Sequence, residues 1–429
     1  MRYNIGVREL IYRLKRYWHL IKTGLWEGQR AQKRTNYPEK KLKIITVTGT
    51  DGKTTSSSLI YHLLKEAGYK VGLISTVAAY IGNKEIDTGF HVTSPGPAQL
   101  YGFMKQMVAK KIEYLVLETT SQGIYQLRTW GIVPEVAAIT NLDYEHLDYH
   151  VTPENYWRAK LEIVGKSRIA VINQDMKQRE FAEEELKKVQ DRRNGLPKIL
   201  YYGAEIKFPR ALEATIEKCF LQDFNQINAR LALTTVAAIG VDFRGRSEIE
   251  KMVRALKNFK MPRGRMETVK NDLGLKLIVD FAHTPQGLRA ALENIRTENQ
   301  EEIKAGAKLI SIYGCAGLRD RIKRPVMGRI GAELSDIAIF TAEDPRTENI
   351  WSIINQMKGD LGDYYGKVVT VINRREAIEF ALTKLAKKGD IIAIFGKGHE
   401  QSMNYGEGEE LWNDIDYLEK RVKEEQKRD

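Results

Sequence analysis

Seven residues, GTDGKTT from Gly49 to Thr55, follow the apolar run LKIITVT and precede a helical pattern. A strand, a short glycine loop and a helix start in that order make a phosphate cradle. Gly49 and Gly52 let backbone approach a ligand closely, the first helical N–H groups offer donors to an anion, and Lys53 adds a point charge. Thr50, Asp51 and Thr55 complete the loop, and the Thr54 hydroxyl is a hard oxygen donor suited to Mg²⁺. Val47 stands where the commonest nucleotide loop has its first glycine, so this loop is shortened. The competing reading is a glycine-containing strand-to-helix turn with an exposed lysine.

Later apolar runs end in residues of equal chemical interest. Glu118 closes YLVLE, Asn141 closes VAAITN, and DYEHLDYH with His146 follows directly. In open parallel sheets ligands bind at the carboxyl ends of strands, and a carboxylate with an imidazole at such ends suits Mg²⁺ and phosphate chemistry.

The elements that must position these groups alternate between nearly continuous apolar strands and helical patterns. IITVT, YLVLET, VAAITN and IAVIN form a first series, and LKLIVDF, KLISIYG, IAIFTAED, VVTVIN and DIIAIFGKGHE a second, with a break at MPRGRME. This predicts an α/β fold: a central P-loop ATPase domain with a mostly parallel sheet, then a C-terminal Rossmann-like α/β domain, preceded by a short amphipathic helical arm. The expected boundaries are 1–41 for the arm and linker, 42–261 and 262–429. The length of 429 residues agrees with two or three domains. Cys219 and Cys315, the only cysteines, exclude a disulfide scaffold and fit a reducing, cytoplasmic setting. Thr152 and Pro153 read as the N-cap and first residue of a helix that carries Lys160 two turns in.

Net charge is +12, of which +9 lies within residues 1–43. Within the arm Leu10, Ile11, Leu14, Tyr17, Trp18, Ile21, Leu25 and Trp26 share one helical face. The expectation is that this stripe docks on the protein's own core, with a membrane-surface helix as the alternative. Residues 29–41 read as a polar linker. No nucleic-acid partner is expected, since the charge is confined to one end and no aromatic stacking platform is seen.

GTDGKTT, ETTSQG, TNLDYEHLDYH, YWRAK, GRME, VDFAHTP, GCAGLRDRIKRP, EDPR and GKGHE occur in the order found in Mur ligases, and the chain resembles the branch that adds the third peptide residue. The resemblance covers about residues 42–416. It implies an ATP-dependent, ADP-forming amide ligase of peptidoglycan synthesis, which phosphorylates a carboxylate before an amine displaces the phosphate. By this resemblance Lys53 grips phosphate, Thr54 and Glu118 hold one Mg²⁺, His146 serves a second, and Lys160 aligns with a lysine that the family carbamylates. Phe224, Asn225 and Asn228 lie on the adenine side. Arg265, Asp280 and His283 supply nucleotide contacts from the second domain, which implies domain closure over ATP.

For the amino acid, the resemblance points to Arg319, Asp344, Arg346, Gly396 and Glu400, with Arg346 meeting the distal carboxylate of meso-diaminopimelate. Glu343 and Asp344 depart from the Asp and Asn of the family's pattern. On the muramoyl-peptide side stand Thr93, Ser94, Thr120, Ser121, Gln126 and Arg128, with Gln122 where the family has His. The family's N-terminal UDP-binding domain is not represented, so the expectation is that a partner protein or a lipid-linked acceptor met at the membrane replaces it, through residues 1–40. Alternatives are a folylpolyglutamate-synthetase-like ligase, disfavoured by EDPR and GKGHE, and a P-loop ATPase switch whose arm binds membrane or nucleic acid.

Overall fold

The apolar runs become strands of two separate sheets, each belonging to one compact unit, Met1–Lys260 and Met261–Asp429. A computed structural model describes residues 5–82, 84–86, 94–190 and 197–425.

In the first unit the strands are β1 (Lys43–Thr48), β2 (Val71–Ile74), β3 (Ala79–Ile81), β4 (Lys84–Ile86), β5 (Tyr114–Glu118), β6 (Val136–Ile139), β7 (Ile169–Asn173) and β8 (Lys198–Tyr202). Their order is β4-β3-β2-β5-β1-β6-β7-β8, with β3 alone running against the others. The five residues of β5 are all buried, as expected where helices cover both faces. Chain order places β5 on one side of β1 and β6 on the other, so the carboxyl end of β1 is a topological switch point. Register then fixes the site: Val47 pairs with Glu118, and Thr48 with Ile139.

The second unit contains β9 (Glu267–Val269), β10 (Lys276–Asp280), β11 (Leu309–Tyr313), β12 (Ile337–Phe340), β13 (Val368–Thr370) and β14 (Ile391–Phe395). The order is β13-β12-β11-β14-β10-β9, with only β9 antiparallel. Two apolar clusters, one around Leu288 and Met327 and the other around Ile378 and Leu418, hold helices against this sheet. The loops after β10, β11, β12 and β14 carry VDFAHTP, GCAGLR, EDPR and GKGHE to the carboxyl edge of one sheet.

The arm differs from expectation in two respects. Its helix Ile5–His19 runs through a π-helical stretch, Leu20–Gly28, into a further helix, Gln29–Thr35, so residues 29–35 are not an extended linker. Gln32 is buried and donates to Glu39 at 2.8 Å, which ties this part down. The docked face is also the opposite one. Tyr12, Thr23, Gly24, Gly28 and Ala31 are buried, whereas Leu10, Leu14, Tyr17 and Ile21 are 58, 57, 66 and 65% exposed.

The reason is the surface the arm meets, which sets polar groups beside the Tyr125 and Trp130 rings. Arg16 donates to the Ile124 and Tyr125 carbonyls and pairs with Glu162 at 2.5 Å. Tyr12 and His150 Nδ1 are 3.1 Å apart, Asn155 donates to Glu9 at 2.7 Å, and the Tyr12 ring stacks on Tyr125 at 4.3 Å. A β-carbon on Gly24 or Gly28 would come within 2.6 or 2.8 Å of Trp130. Only glycine permits that approach.

Candidate active site

Gly49 and Gly52 have φ of 147° and 79°, and a β-carbon on either would meet Thr140 Oγ1 or Asn228 Oδ1. The helix begins at Lys53. Neighbouring strands shape the loop. Asn141 Oδ1 accepts from the Thr50 and Asp51 amides at 2.9 and 3.0 Å, Thr140 Oγ1 donates to the Asp51 carbonyl, and the Asp143 amide donates to Thr50 Oγ1. Asn141 therefore braces the loop. Lys53 Nζ arches back to the Thr50 carbonyl at 2.7 Å, and Thr55 is buried behind it.

Thr54 Oγ1 lies 3.1 Å from Glu118 Oε1, and Thr76 holds both Glu118 oxygens, at 2.9 and 3.0 Å. Among the described residues no three His, Cys, Asp or Glu side chains converge as a metal cage. A hydroxyl beside a fixed carboxylate nevertheless fits Mg²⁺, which takes one or two protein oxygens and completes its shell with water and phosphate. His146, at φ 54°, lies 3.6 Å from Glu145 and edge-on to Tyr156.

Thr152 caps the helix Pro153–Val164 through the Asn155 amide, and that helix buries Lys160 completely. Lys160 Nζ donates to the Gly49 carbonyl at 2.5 Å and sits 4.3 Å from the Tyr156 ring centroid. Burial first, then the charge of Lys53, holds its pKa well below 10.5, against the opposing pull of Glu145, Asp51 and Asp143. Asp143 is in turn pushed up to about 6 by burial and Asp51. Asn228 accepts from Ser56 at 3.1 Å and donates to Asn225, so DFNQIN lies beside the loop, with Phe224 half-buried.

Ser94, Thr120, Ser121, Gln126 and Arg128 cluster near the arm, while Thr93 lies outside the described residues. Thr120 caps the helix Ser121–Tyr125, Ser94 Oγ accepts from the Thr120 amide at 3.2 Å, and Arg128 donates to Gln126 and the Ser94 carbonyl. His150 bridges this cluster to the arm, with Nε2 3.0 Å from Ser121 Oγ.

Burial, then His146 and Lys160, lower His150 from 6.5 to about 3, opposed by Glu145. Its other neighbours, Tyr12, Tyr125, Tyr149 and Tyr156, present aromatic rings. The docked state thus favours neutral imidazole, so the stability it contributes is intact above pH 6.5 and is lost as pH falls toward 3. Hydrogen exchange in residues 12–28, corrected for intrinsic rates, is expected to quicken between about pH 7 and 5. Protection that stays constant over that range would contradict this.

In the second unit Asp280 accepts from the Met266 and Ala282 amides at 2.8 and 2.7 Å, which fixes GRME against β10. Arg265 stacks over Phe281 at 4.5 Å, and the His283 ring lies against the same phenyl. Arg319 is exposed in the loop after β11.

Asp344 and Arg346, at φ 42° and 53°, are held by neighbours of their own unit. Arg346 donates to the Gly317 carbonyl at 2.7 Å and lies 3.9 Å from Asp344. Asp344 accepts from buried Lys397 at 2.9 Å and from the Asn404 amide, and Glu400 also pairs with Lys397. Asp344 and Glu400 thus share one buried ammonium, whose desolvation their carboxylates offset. A β-carbon on Gly396 would strike Glu343, a buried carboxyl pushed up to about 7 by desolvation.

Sequence reasoning missed Lys397 and the buried pair Arg374 and Asp414, which join through two bonds of 2.8 and 2.7 Å. Arg374 also donates to the Ala342 and Phe395 carbonyls, tying the EDPR and GKGHE loops together. The lysine inside GKGHE was a visible signal; Arg374 stood in a charged stretch with none.

Residues 47–215 match the Mur ligase middle domain and residues 264–398 the Mur ligase glutamate ligase domain. UDP-N-acetylmuramoyl-L-alanyl-D-glutamate–2,6-diaminopimelate ligases of Clostridium botulinum and Clostridium acetobutylicum are each 39% identical, over 382 and 380 residues. These cover 85 and 86% of this chain and 74 and 76% of the relatives. A solved structure of such a ligase aligns with TM-score 0.55 at 26% identity, over 93% of this chain and 83% of its own. A Mycobacterium tuberculosis folylpolyglutamate synthase complexed with ADP shares the fold, with TM-score 0.65 at 16% identity, over 90% of this chain and 96% of its own.

Proposed function

This chain belongs to the Mur ligase family, and we propose that it is an ATP-dependent ligase that joins meso-diaminopimelate to a muramoyl-L-Ala-D-Glu acceptor in peptidoglycan synthesis. The observation that carries the reading is the cradle at the end of β1, where Lys53, Thr54 and Glu118 converge on one loop. A carboxylate is a poor electrophile, and transfer of the γ-phosphoryl group makes one of its oxygens a leaving group. Amine attack then gives a tetrahedral intermediate that expels phosphate and leaves the amide.

In this reading the loop amides and Lys53 hold the phosphates as charge develops. Thr54 and Glu118 would hold Mg²⁺, with His146 and Lys160 serving a second ion, and bound metal would neutralise phosphate charge. Asn225 and Asn228 take the adenine side, while Arg265, Asp280 and His283 are the nucleotide contacts of the C-terminal unit. Ser94, Thr120, Ser121, Gln126 and Arg128 face the acceptor. Arg346, with Arg319, Asp344, Gly396 and Glu400 around it, selects the diacid by a bidentate fork. Product masses after incubation with ATP, Mg²⁺, muramoyl-dipeptide acceptors and a panel of amino acids test this. Addition of diaminopimelate with matching ADP release supports it; ATP hydrolysis that needs neither co-substrate overturns it.

The arm adds a membrane-surface role. Among the described residues no helix is long and apolar enough to cross a membrane. The outward stripe of Leu10, Leu14, Tyr17, Ile21 and Trp26 is flanked by exposed Arg13 and Lys15. Apolar and aromatic residues with basic flanks match an anionic bilayer surface in shape and charge. The intact protein is expected to float with vesicles containing anionic lipid and to be released by salt, and a Leu14→Glu/Ile21→Glu variant is expected to stay behind. Equal flotation of both would remove the membrane role.

A further inference from the structure

Between the arm and the segments around Ser94 and Arg128 lies a cavity of about 430 Å³, walled on the arm side by Trp18, His19 and Lys22. We propose that this cavity binds the diphosphate of the acceptor's carrier, gripped by Lys22 and Arg128 with His19 between them. The inference rests on the acceptor-side reading of Ser94 and Arg128 given above and assigns the arm a part in the same site.

Three observations carry it. First, the cavity has cations without counter-ions. Neither Lys22 nor Arg128 makes an ion pair among the described residues: Lys22 stacks over the Trp18 ring at 4.6 Å, and Arg128 donates to a side-chain amide and a backbone carbonyl. Second, His19 lines the cavity beside Lys22 and Arg128. Burial and then Arg16, Arg128, Lys15 and Lys22 lower its pKa, as expected of an imidazole crowded by positive charge. An anion placed among these groups would offset the repulsion.

Third, the wall is built. The π-helical stretch carries Lys22 and Thr23, and its Gly24 and Gly28 seat against Trp130, so the backbone is held close to the central unit. Glu27 is the one carboxylate lining the cavity and is an acceptor for sugar hydroxyl or amide groups. A nucleoside diphosphate and a lipid diphosphate share the chemistry that this cavity recognises.

Calorimetric titration of the full chain with inorganic pyrophosphate separates this site from the phosphate loop. Lys53→Ala is expected to retain a binding isotherm, and adding Lys22→Glu should weaken it by about tenfold or more. Lys22→Met, which removes charge without reversing it, should fall between the two. An isotherm abolished by Lys53→Ala alone, or unchanged by Lys22→Glu, would overturn the proposal.

Steady-state assays with nucleotide-diphosphate-linked, lipid-diphosphate-linked and diphosphate-free muramoyl-dipeptide identify the source. In Lys22→Glu the KM of the linked acceptor should rise about tenfold, with kcat and the KM for ATP retained and the diphosphate-free acceptor unaffected. An equal rise for the diphosphate-free acceptor would also overturn it. Pyrophosphate binding that depends on Lys22 in a protein that ligates none of the three acceptors would sustain the site and refute the ligase reading.

Discussion

Replacement of Lys53 by alanine is expected to lower kcat by about 10²–10³ or more, the cost of removing one preorganised group aimed at charge that develops in the transition state. The geometry makes this a test of charge and not of folding. The loop's shape comes from Asn141, Thr140 and Asp143, and from glycine conformations at 49 and 52, none of which uses the lysine side chain. Lys53 is half-buried, and its hydrogen bond goes to a carbonyl of its own loop, so stability should change by only about 0.5 kcal/mol. Single-turnover ADP release, read beside a thermal melt, separates the two effects. A folded Lys53→Ala protein that turns over at the wild-type rate would remove the phosphate-cradle reading and the ligase mechanism built on it.

The phosphate loop was legible because everything that defines it is local. A buried parallel strand reads as an unbroken apolar run, the glycines mark positive φ, and the helix start follows within four residues. The neighbours Glu118 and Asn141 were legible for the same reason, since strand ends in a parallel sheet fall along one edge. The arm was legible only in part. Helical periodicity locates the apolar face of Leu10, Leu14 and Ile21, but which face docks depends on the surface it meets. Here that surface is carbonyls, Glu162 and His150. The partners lie more than a hundred residues away in sequence, where no local pattern reaches. Asp344 shows the same limit: it stands out as a departure from a motif, and the ion pair it makes with buried Lys397 comes from a loop 53 residues on.

Lys160 offers the second large effect, because its surroundings are made for a neutral amine. It is buried, bonded to the Gly49 carbonyl and packed on Tyr156, and desolvation with nearby Lys53 disfavours the ammonium form. An unprotonated amine attacks CO₂: the Nζ–C bond forms, one proton leaves, and the product is a carbamate anion whose oxygens suit Mg²⁺ where an ammonium would repel it. Wild-type protein in ¹³C-bicarbonate is therefore expected to give a carbamate resonance that Lys160→Arg lacks, and the variant should lose about 10²–10³ in kcat if the anion serves the transition state. The lowered pKa fixes the sign of the pH effect. Neutral amine persists to lower pH than for an ordinary lysine, and activity declines on the acid side as protonation competes with carbamate formation. Full activity in CO₂-depleted buffer without the resonance would leave Lys160 as a buried brace for the Gly49 carbonyl and nothing more.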